Sequence, residues 1–175
     1  MKQEKEVGGV TGIYQATSRG FGFVTPEGAV GREEDYFIPP RAEGGAWNGD
    51  RVRICPEEEQ SESGARRTAR ITAVLERANK TVTGVLSKHN RELWLKPDSE
   101  RLPGAIQVMT KRRGIRAGDR AAVAIVSFGG GKRPPMGTLR EVFGPAGDRA
   151  SSVAALLYQY EIHPEFPDAV QAEAQ

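Results

Sequence analysis

The chain has 175 residues, enough for one domain or two small ones, and its 38% hydrophobic and 27% charged residues are typical of a folded globular protein. A single cysteine, Cys55, excludes an internal disulfide and a cysteine metal cage, and no apolar run approaches the ~20 residues of a membrane helix. The first residues lack the apolar segment of a signal peptide, so we expect a cytoplasmic protein without membrane contact. A net charge of +2 does not by itself indicate a polyanionic partner.

Many turns between short apolar runs favour an all-β fold, because 21 glycines and 11 prolines are spread along the chain. After a polar tail at 1–9, five short strands are predicted in the first half, and a loose acidic loop at 56–65 separates the last two. The strands fall at 10–14, 20–24, 35–39, 52–55 and 68–75. Five such strands fit a small Greek-key barrel of the OB type, which we assign to residues 10–79.

The motifs of the first half return in the same order in the second half, which indicates an internal repeat. The sequence Thr-Gly-Ile at 11–13 returns as Thr-Gly-Val at 83–85, and Gly-Asp-Arg at 49–51 returns at 118–120. A second five-stranded OB barrel is therefore predicted at 80–144.

The pattern changes after the second barrel, where residues 145–175 are expected to contain a linker helix. Asp148 or Ser151 can cap a helix over 149–160, before an extended, proline-containing segment from His163. Apolar residues repeat at helical spacing along it, namely Val153, Leu156, Leu157 and Tyr160. We expect this helix to dock on the barrels or to begin a further domain.

The sequence offers little for catalysis. His89 and His163 have no patterned partner, and the acids at 33–35 are neighbours in one loop, whereas a two-metal nuclease needs acids that converge from several strands. Cys55 has no base beside it, and the glycine-rich run at 129–132 lacks the Ser or Thr of a phosphate loop. We predict no catalytic residue, metal site or cofactor in this chain.

Binding is better supported by an aromatic strand. Phe21 and Phe23 are two residues apart and share one face of a strand, while Arg19 brings a positive charge beside the rings. Phe37 falls on the next strand, and the face of strands 2 and 3 of an OB barrel is where oligonucleotides lie. The alternative is that Phe21 and Phe23 belong to the core. We predict a platform for single-stranded nucleic acid that includes Tyr14, Arg19, Phe21, Phe23, Phe37 and Arg41.

The second barrel departs from this pattern. Glu92 stands at the position of Phe21, and only Trp94 remains as a stacking candidate, although the pattern favours a core position for it. Lys88, Lys96 and the basic run at 111–113 are placed to guide a phosphate backbone, although a solvated loop is the ordinary reading of such a run.

Residues 10–54 resemble the cold-shock domain. The segment 18–24 is similar to the first RNA-binding motif of that family, and 35–39 is similar to the second. On this resemblance Tyr14 stands where the family carries a stacking tryptophan, and Phe21, Phe23 and Phe37 fall on stacking positions. Pro39 and Pro40 replace the family's histidine and phenylalanine at the far end of the platform.

The resemblance extends over residues 8–175 to the N-terminal half of the ribonuclease R and ribonuclease II family. The order of the barrels carries it, together with the passage from Gly137 through Leu156-Leu157 to Phe166-Pro167. It implies that two cold-shock OB domains load single-stranded RNA into a Mg²⁺-dependent catalytic domain that degrades RNA from its 3′ end. That domain would begin about where this sequence stops, so enzymatic activity of the chain stays open. The resemblance also implies the ribosome or the RNA-degradation machinery as partners.

Sequence-tolerant binding of single-stranded RNA, as the loading part of such an exoribonuclease, is the function the sequence predicts. A free-standing RNA chaperone is the first alternative. A protein-interaction adaptor is the second, and it predicts weak salt dependence and tolerance of Phe21→Ala.

Overall fold

The computed structural model describes residues 9–57 and 66–160, which form two closed five-stranded barrels and one helix. This confirms the predicted all-β architecture of two tandem OB barrels with a short helix after them. Most of the predicted tail at 1–9, most of the loop at 56–65 and the extended segment around His163 lie outside the described residues. Within the described ranges, no helix has the length and apolarity needed to cross a bilayer.

The first barrel has the strand order β1-β2-β3-β5-β4, and β1 pairs with β4 to close it. Its pairs are antiparallel except for β3 and β5, which run parallel. Its strands are β1 (Val10–Ala16), β2 (Gly22–Pro26), β3 (Tyr36–Ile38), β4 (Arg51–Glu57) and β5 (Thr68–Glu76). A single turn of 3₁₀ helix, Arg32–Glu34, precedes β3.

Alternation along these strands decides what is buried. Val24, Ile38, Val52 and Ile54 point into the barrel and are 0% exposed, so the residues between them face outward. The side chains that the sequence marks for binding on β2 and β3 are therefore placed on the outer face by the same period of two that fills the core.

The second barrel repeats this topology, with the order β10-β8-β7-β6-β9 and a parallel pair between β8 and β10. Its strands are β6 (Thr81–His89), β7 (Glu92–Pro97), β8 (Ile106–Met109), β9 (Asp119–Ser127) and β10 (Met136–Pro145). Leu86, Leu95, Ile106 and Val123 form the centre of its core.

The internal repeat seen in the sequence is also a repeat of backbone contacts. Gly49 and Gly118 have φ of +89° and +92°, a conformation that favours glycine. The Gly49 N–H donates to the Tyr14 carbonyl over 2.7 Å, and the Gly118 N–H donates to the Leu86 carbonyl over the same distance. These equivalent bonds fix the turn into the fourth strand of each barrel.

Helix α1 (Arg149–Gln159) follows β10 and packs on the second barrel. Asp148 is its N-cap, and its carboxylate accepts from the Ser151 N–H over 3.0 Å. The hydrogen bonds from Ser151 lower the pKa of Asp148.

The helix lies against the second barrel, which is one of the two predicted alternatives, but most of its apolar stripe is not at the contact. Val153, Leu156 and Tyr160 are 48%, 54% and 68% exposed, whereas Ser151 and Ala155 are buried. Small side chains let the helix approach the strands closely, and the apolar stripe read from the sequence points away from them.

A contact between the two cores joins the barrels. Trp47 lies in the β3–β4 loop of the first barrel, yet its ring is 5% exposed and belongs to the core cluster of the second barrel. Its centroid is 4.8 Å from that of Phe128, in an edge-on arrangement. Arg77 covers the Phe128 ring at 4.0 Å and pairs with the buried Asp50 through Nη1 and Oδ2, 2.9 Å apart.

Candidate nucleic-acid interface

Three phenylalanine rings form a cluster on the outer face of the first barrel. Phe23 on β2 pairs with Phe37 on β3, and Phe21 immediately precedes β2. The ring centroid of Phe21 lies 5.9 Å from that of Phe23 and 5.7 Å from that of Phe37. The centroids of Phe23 and Phe37 are 5.8 Å apart. All three rings are half-buried, so each keeps surface that a planar ligand can contact. We call this cluster the aromatic platform.

Two arginines just before β5 lie on and beside the same surface. The Arg66 guanidinium carbon lies 4.5 Å from the Phe37 centroid and 5.6 Å from the Phe23 centroid. Arg67 lies 5.9 Å from the centroid of Tyr36. The Phe37 N–H donates to the Arg67 carbonyl over 2.7 Å, which holds the arginine pair beside β3. Positive charge therefore lies directly on the rings, where a cation–π contact stabilises it.

The platform forms one wall of an open cleft of about 530 Å³. Its lining combines two rings with four arginines, and one of these, Arg101, comes from the β7–β8 loop of the second barrel. The lining residues are Gln15, Phe23, Arg32, Glu33, Asp35, Phe37, Arg66, Arg67 and Arg101. Within the described part of the chain, the buried Asp35 Oδ1 has no hydrogen-bond partner, which leaves an acceptor in this cleft.

Tyr14 is not part of the platform, contrary to the prediction. Its side chain is 3% exposed and packs inside the first barrel, where the absence of a side chain on Gly22 makes room for the ring. Burial, together with the nearby charge of Glu43, raises the pKa of the Tyr14 phenol to about 12. The ring would have to leave the core to stack on a base.

Three further cations of the first barrel, Arg19, Arg41 and Arg51, do not line the cleft. Arg19 and Arg41 are exposed, and Arg41 has a φ of +72° in the loop after Pro40. Arg51 instead forms an ion pair with Glu27, which lowers the pKa of that carboxyl and occupies the guanidinium.

In the second barrel, Trp94 lies on the outer face of β7, opposite Ser87 and Gln107 on the neighbouring strands. It is half-buried, while the adjacent Leu95 is 0% exposed and fills the core. Lys96 is exposed on the same strand. Lys88 is exposed too, and its Nζ donates to the Ile115 carbonyl over 2.8 Å. These three side chains are not part of the cleft described above.

Sequence reasoning missed several residues of the cleft. The Arg66-Arg67 pair was visible as a basic cluster, but its position against β3 depends on the parallel pairing of β3 with β5. Arg101 and Arg32 had no signal in the sequence, because loops from different barrels meet there. Gln15 alternates with the buried Tyr14 along β1, and that alternation was the signal that could have found it.

The residues described here do not suit the magnesium ion that the family resemblance implies. No group of three or more His, Cys, Asp or Glu side chains among them is arranged to hold a metal ion.

Two family matches cover the barrels in order. Residues 12–74 match the ribonuclease B OB domain, and residues 94–167 match a cold shock domain family. Ribonuclease R of Vibrio parahaemolyticus is 27% identical over 165 residues, which is 94% of this chain and 20% of the relative. Ribonuclease R of Acidithiobacillus ferrooxidans is 27% identical over 169 residues, with 94% of this chain and 37% of the relative covered. Barrel by barrel, the chain is thus similar to the N-terminal tandem-barrel region of ribonuclease R.

Solved structures of larger proteins share the fold. Mycoplasma genitalium RNase R in complex with ribose-methylated single-stranded RNA superposes with a TM-score of 0.72 and 19% identity, over 94% of this chain and 26% of that one. Yeast Ssd1, a pseudonuclease, superposes with a TM-score of 0.68 and 16% identity, over 90% of this chain and 26% of that one. The chain spans 20% to 37% of the length of the curated relatives it matches.

Proposed function

We propose that this chain binds single-stranded RNA without strict base preference. The observation that carries the proposal is the cleft in which the aromatic platform and four arginines meet. Unpaired bases stack on aromatic rings, and arginines hold the phosphates between them, so the two kinds of side chain together suit a flexible polyanion with planar groups. An RNA-bound relative of the same fold supports RNA as the ligand.

The wider proposal is that this region loads RNA into a ribonuclease R-like exoribonuclease that degrades RNA from the 3′ end. The relatives of this chain are ribonucleases R of several bacteria, and they support this role. The hydrolytic step and its Mg²⁺ would belong to a catalytic domain outside the 175 residues. In that role the protein acts in the cytoplasm with the RNA-degradation machinery or the ribosome.

RNA binding without hydrolysis, as in a free-standing chaperone, is the second candidate. The likeness to Ssd1, described as a pseudonuclease, favours it, because the same pair of barrels occurs in a protein without nuclease activity. The fold by itself therefore does not imply catalysis.

The test is fluorescence-anisotropy titration of a labelled oligo-uridine at two salt concentrations, with the wild type and with Phe21→Ala/Phe23→Ala/Phe37→Ala. Stacking is worth ~1–3 kcal/mol per base, so loss of three rings should weaken binding by at least ~3 kcal/mol, or over a hundredfold. Tyr160→Ala removes an exposed aromatic ring from α1 and serves as the matched control. An unchanged affinity of the triple variant, confirmed as folded by circular dichroism, would contradict the proposal and favour the adaptor.

A further inference from the structure

We propose that the second barrel carries a separate phosphate-binding surface at its end farthest from the first barrel. This surface would hold the backbone of an RNA strand whose other part lies on the aromatic platform, so the inference rests on the proposed function. We call it the basic end, and it is formed by Lys88, Arg91, Lys111, Arg112, Arg113 and Arg116.

The strand register brings these residues together. His89 pairs with Glu92 across the β6–β7 turn, and β8 ends beside the start of β7. The β8–β9 loop therefore begins at the same end as the turn. The hydrogen bond from Lys88 Nζ to the Ile115 carbonyl, 2.8 Å long, ties that loop to β6.

The first barrel joins the opposite end. The linker after β5 leads directly into the start of β6, and Phe128, just after β9, contacts Trp47 of the first barrel. Strand β6 has nine residues, so at ~3.3 Å per residue the two ends of the second barrel are separated by ~26 Å. An RNA held only on the platform does not reach the basic end.

The charge of the basic end is not neutralised. All six basic side chains are exposed, and none of them makes an ion pair in the described ranges. Three acids lie near this end: Asp119, whose Oδ2 accepts from the Arg116 N–H, Asp148, which caps α1, and Glu92. Their negative charges remain, so the six basic side chains leave an excess of three positive charges. A chain with 25 basic and 23 acidic residues thus concentrates unpaired positive charge at one place.

The backbone of the β6–β7 turn adds independent support. Asn90 and Arg91 have φ of +49° and +68°, as in a two-residue hairpin turn that normally carries Asn-Gly. Arginine has a side chain that disfavours this conformation, whereas glycine would adopt it without strain. A strained residue retained at an exposed turn is expected where its side chain has a role, and here that side chain adds to the basic end.

A single-stranded RNA backbone is the occupant that these features favour. Exposed, flexible cations with no aromatic ring among them bind phosphates without reading bases. Contact with both barrels requires a strand longer than one OB site, which takes roughly 4–16 nucleotides. The proposal therefore predicts length-dependent affinity.

The first experiment compares Arg112→Gln/Arg113→Gln with Lys132→Gln/Arg133→Gln, a double variant with the same charge loss at the opposite end. Affinity is titrated against salt with oligo-uridines of about 6 and about 20 nucleotides. For the long RNA, log K falls as log salt rises, and Arg112→Gln/Arg113→Gln should make this dependence less steep. The magnitude of the slope should decrease by about 1.4, at ~0.7 per lost phosphate contact. Its binding of the short RNA should stay at the wild-type level. The control variant should change the affinity for the short and the long RNA by the same factor.

The second experiment uses Arg91→Gly, which removes a charge while relieving strain. The melting temperature should rise, and the salt slope with the long RNA should fall by about 0.7. The inference would be overturned if both variants bound the long RNA with unchanged affinity and unchanged salt slope. It would also be overturned if they lost the same affinity for the short RNA as for the long RNA. Failure of the wild type to bind the short RNA would instead count against the platform and the proposed function.

Discussion

Trp47→Ala should destabilise the second barrel, although Trp47 belongs to a loop of the first. The indole is 5% exposed and lies among core residues of the second barrel, with Phe128 at 4.8 Å. Replacing a buried tryptophan by alanine lowers the free energy of unfolding by ~3–5 kcal/mol, because packing contacts are lost and a cavity is left behind. With an m-value of ~1–3 kcal/mol per molar urea, the midpoint of unfolding should fall by roughly 1–5 M.

The chain offers a clean assay for this change. It contains two tryptophans, so Trp47→Ala leaves Trp94 on β7 as the sole indole reporter, and that reporter is in the second barrel. Urea unfolding followed by Trp94 fluorescence therefore reports the barrel that the substitution is expected to weaken.

Two further variants serve as references for the loss of stability. Leu95→Ala removes a side chain that is 0% exposed at the centre of the second core, and gives the shift expected of a true core change. Trp47→Phe keeps an aromatic ring at the junction and should lose less stability. If the Trp94 transition of Trp47→Ala coincides with that of the wild type, the two barrels do not share a core, and the reasoning from burial is refuted.

Two more predictions concern stability. The pKa of the Tyr14 phenol is 10.0 in the unfolded chain and about 12 in the fold. The neutral phenol therefore contributes fully to the free energy of unfolding below pH 10, and this contribution is lost as the pH rises to about 12. Relative to Tyr14→Phe, the wild type should lose ~1.4 kcal/mol of unfolding free energy per pH unit there, and parallel curves in alkaline urea titrations would exclude this linkage. A Cβ on Gly84 would collide with the Lys96 carbonyl oxygen, whereas Gly104 faces open space. Gly84→Ala should therefore cost ~1–3 kcal/mol in thermal unfolding and Gly104→Ala almost nothing; equal melting temperatures would contradict the close strand approach.

The fold was accessible from the sequence because its determinants are local and repeated. Alternation along β2 and β3, the glycines at turns and the return of Thr-Gly and Gly-Asp-Arg each specify one strand or turn. The repeat then predicts the second barrel without any knowledge of long-range contacts. Helix α1 was predicted almost to the residue, since Asp148 provides a local cap.

The errors arose where tertiary packing overrides a local pattern. Tyr14 was assigned to the platform by its resemblance to a family position, but Gly22 opens space for its ring inside the barrel. The apolar stripe of α1 predicted the helix but not its packing face, because Ser151 and Ala155 allow closer packing on the strands than Leu156 would. Arg101 reaches the cleft only because the barrels meet, which no single stretch of sequence encodes.

The parallel pairing of β3 with β5 has a thermodynamic consequence for the candidate site. In the first barrel this seam has a single register pair, Phe37 with Thr68, whereas the equivalent seam of the second barrel has three. Phe37 lies on one side of the seam and Arg66 precedes the other. A ligand that contacts both side chains ties the two edges together, so binding and closure of the barrel become linked equilibria. The amide hydrogen of Phe37, bonded to the Arg67 carbonyl, should then exchange more slowly in the presence of ligand.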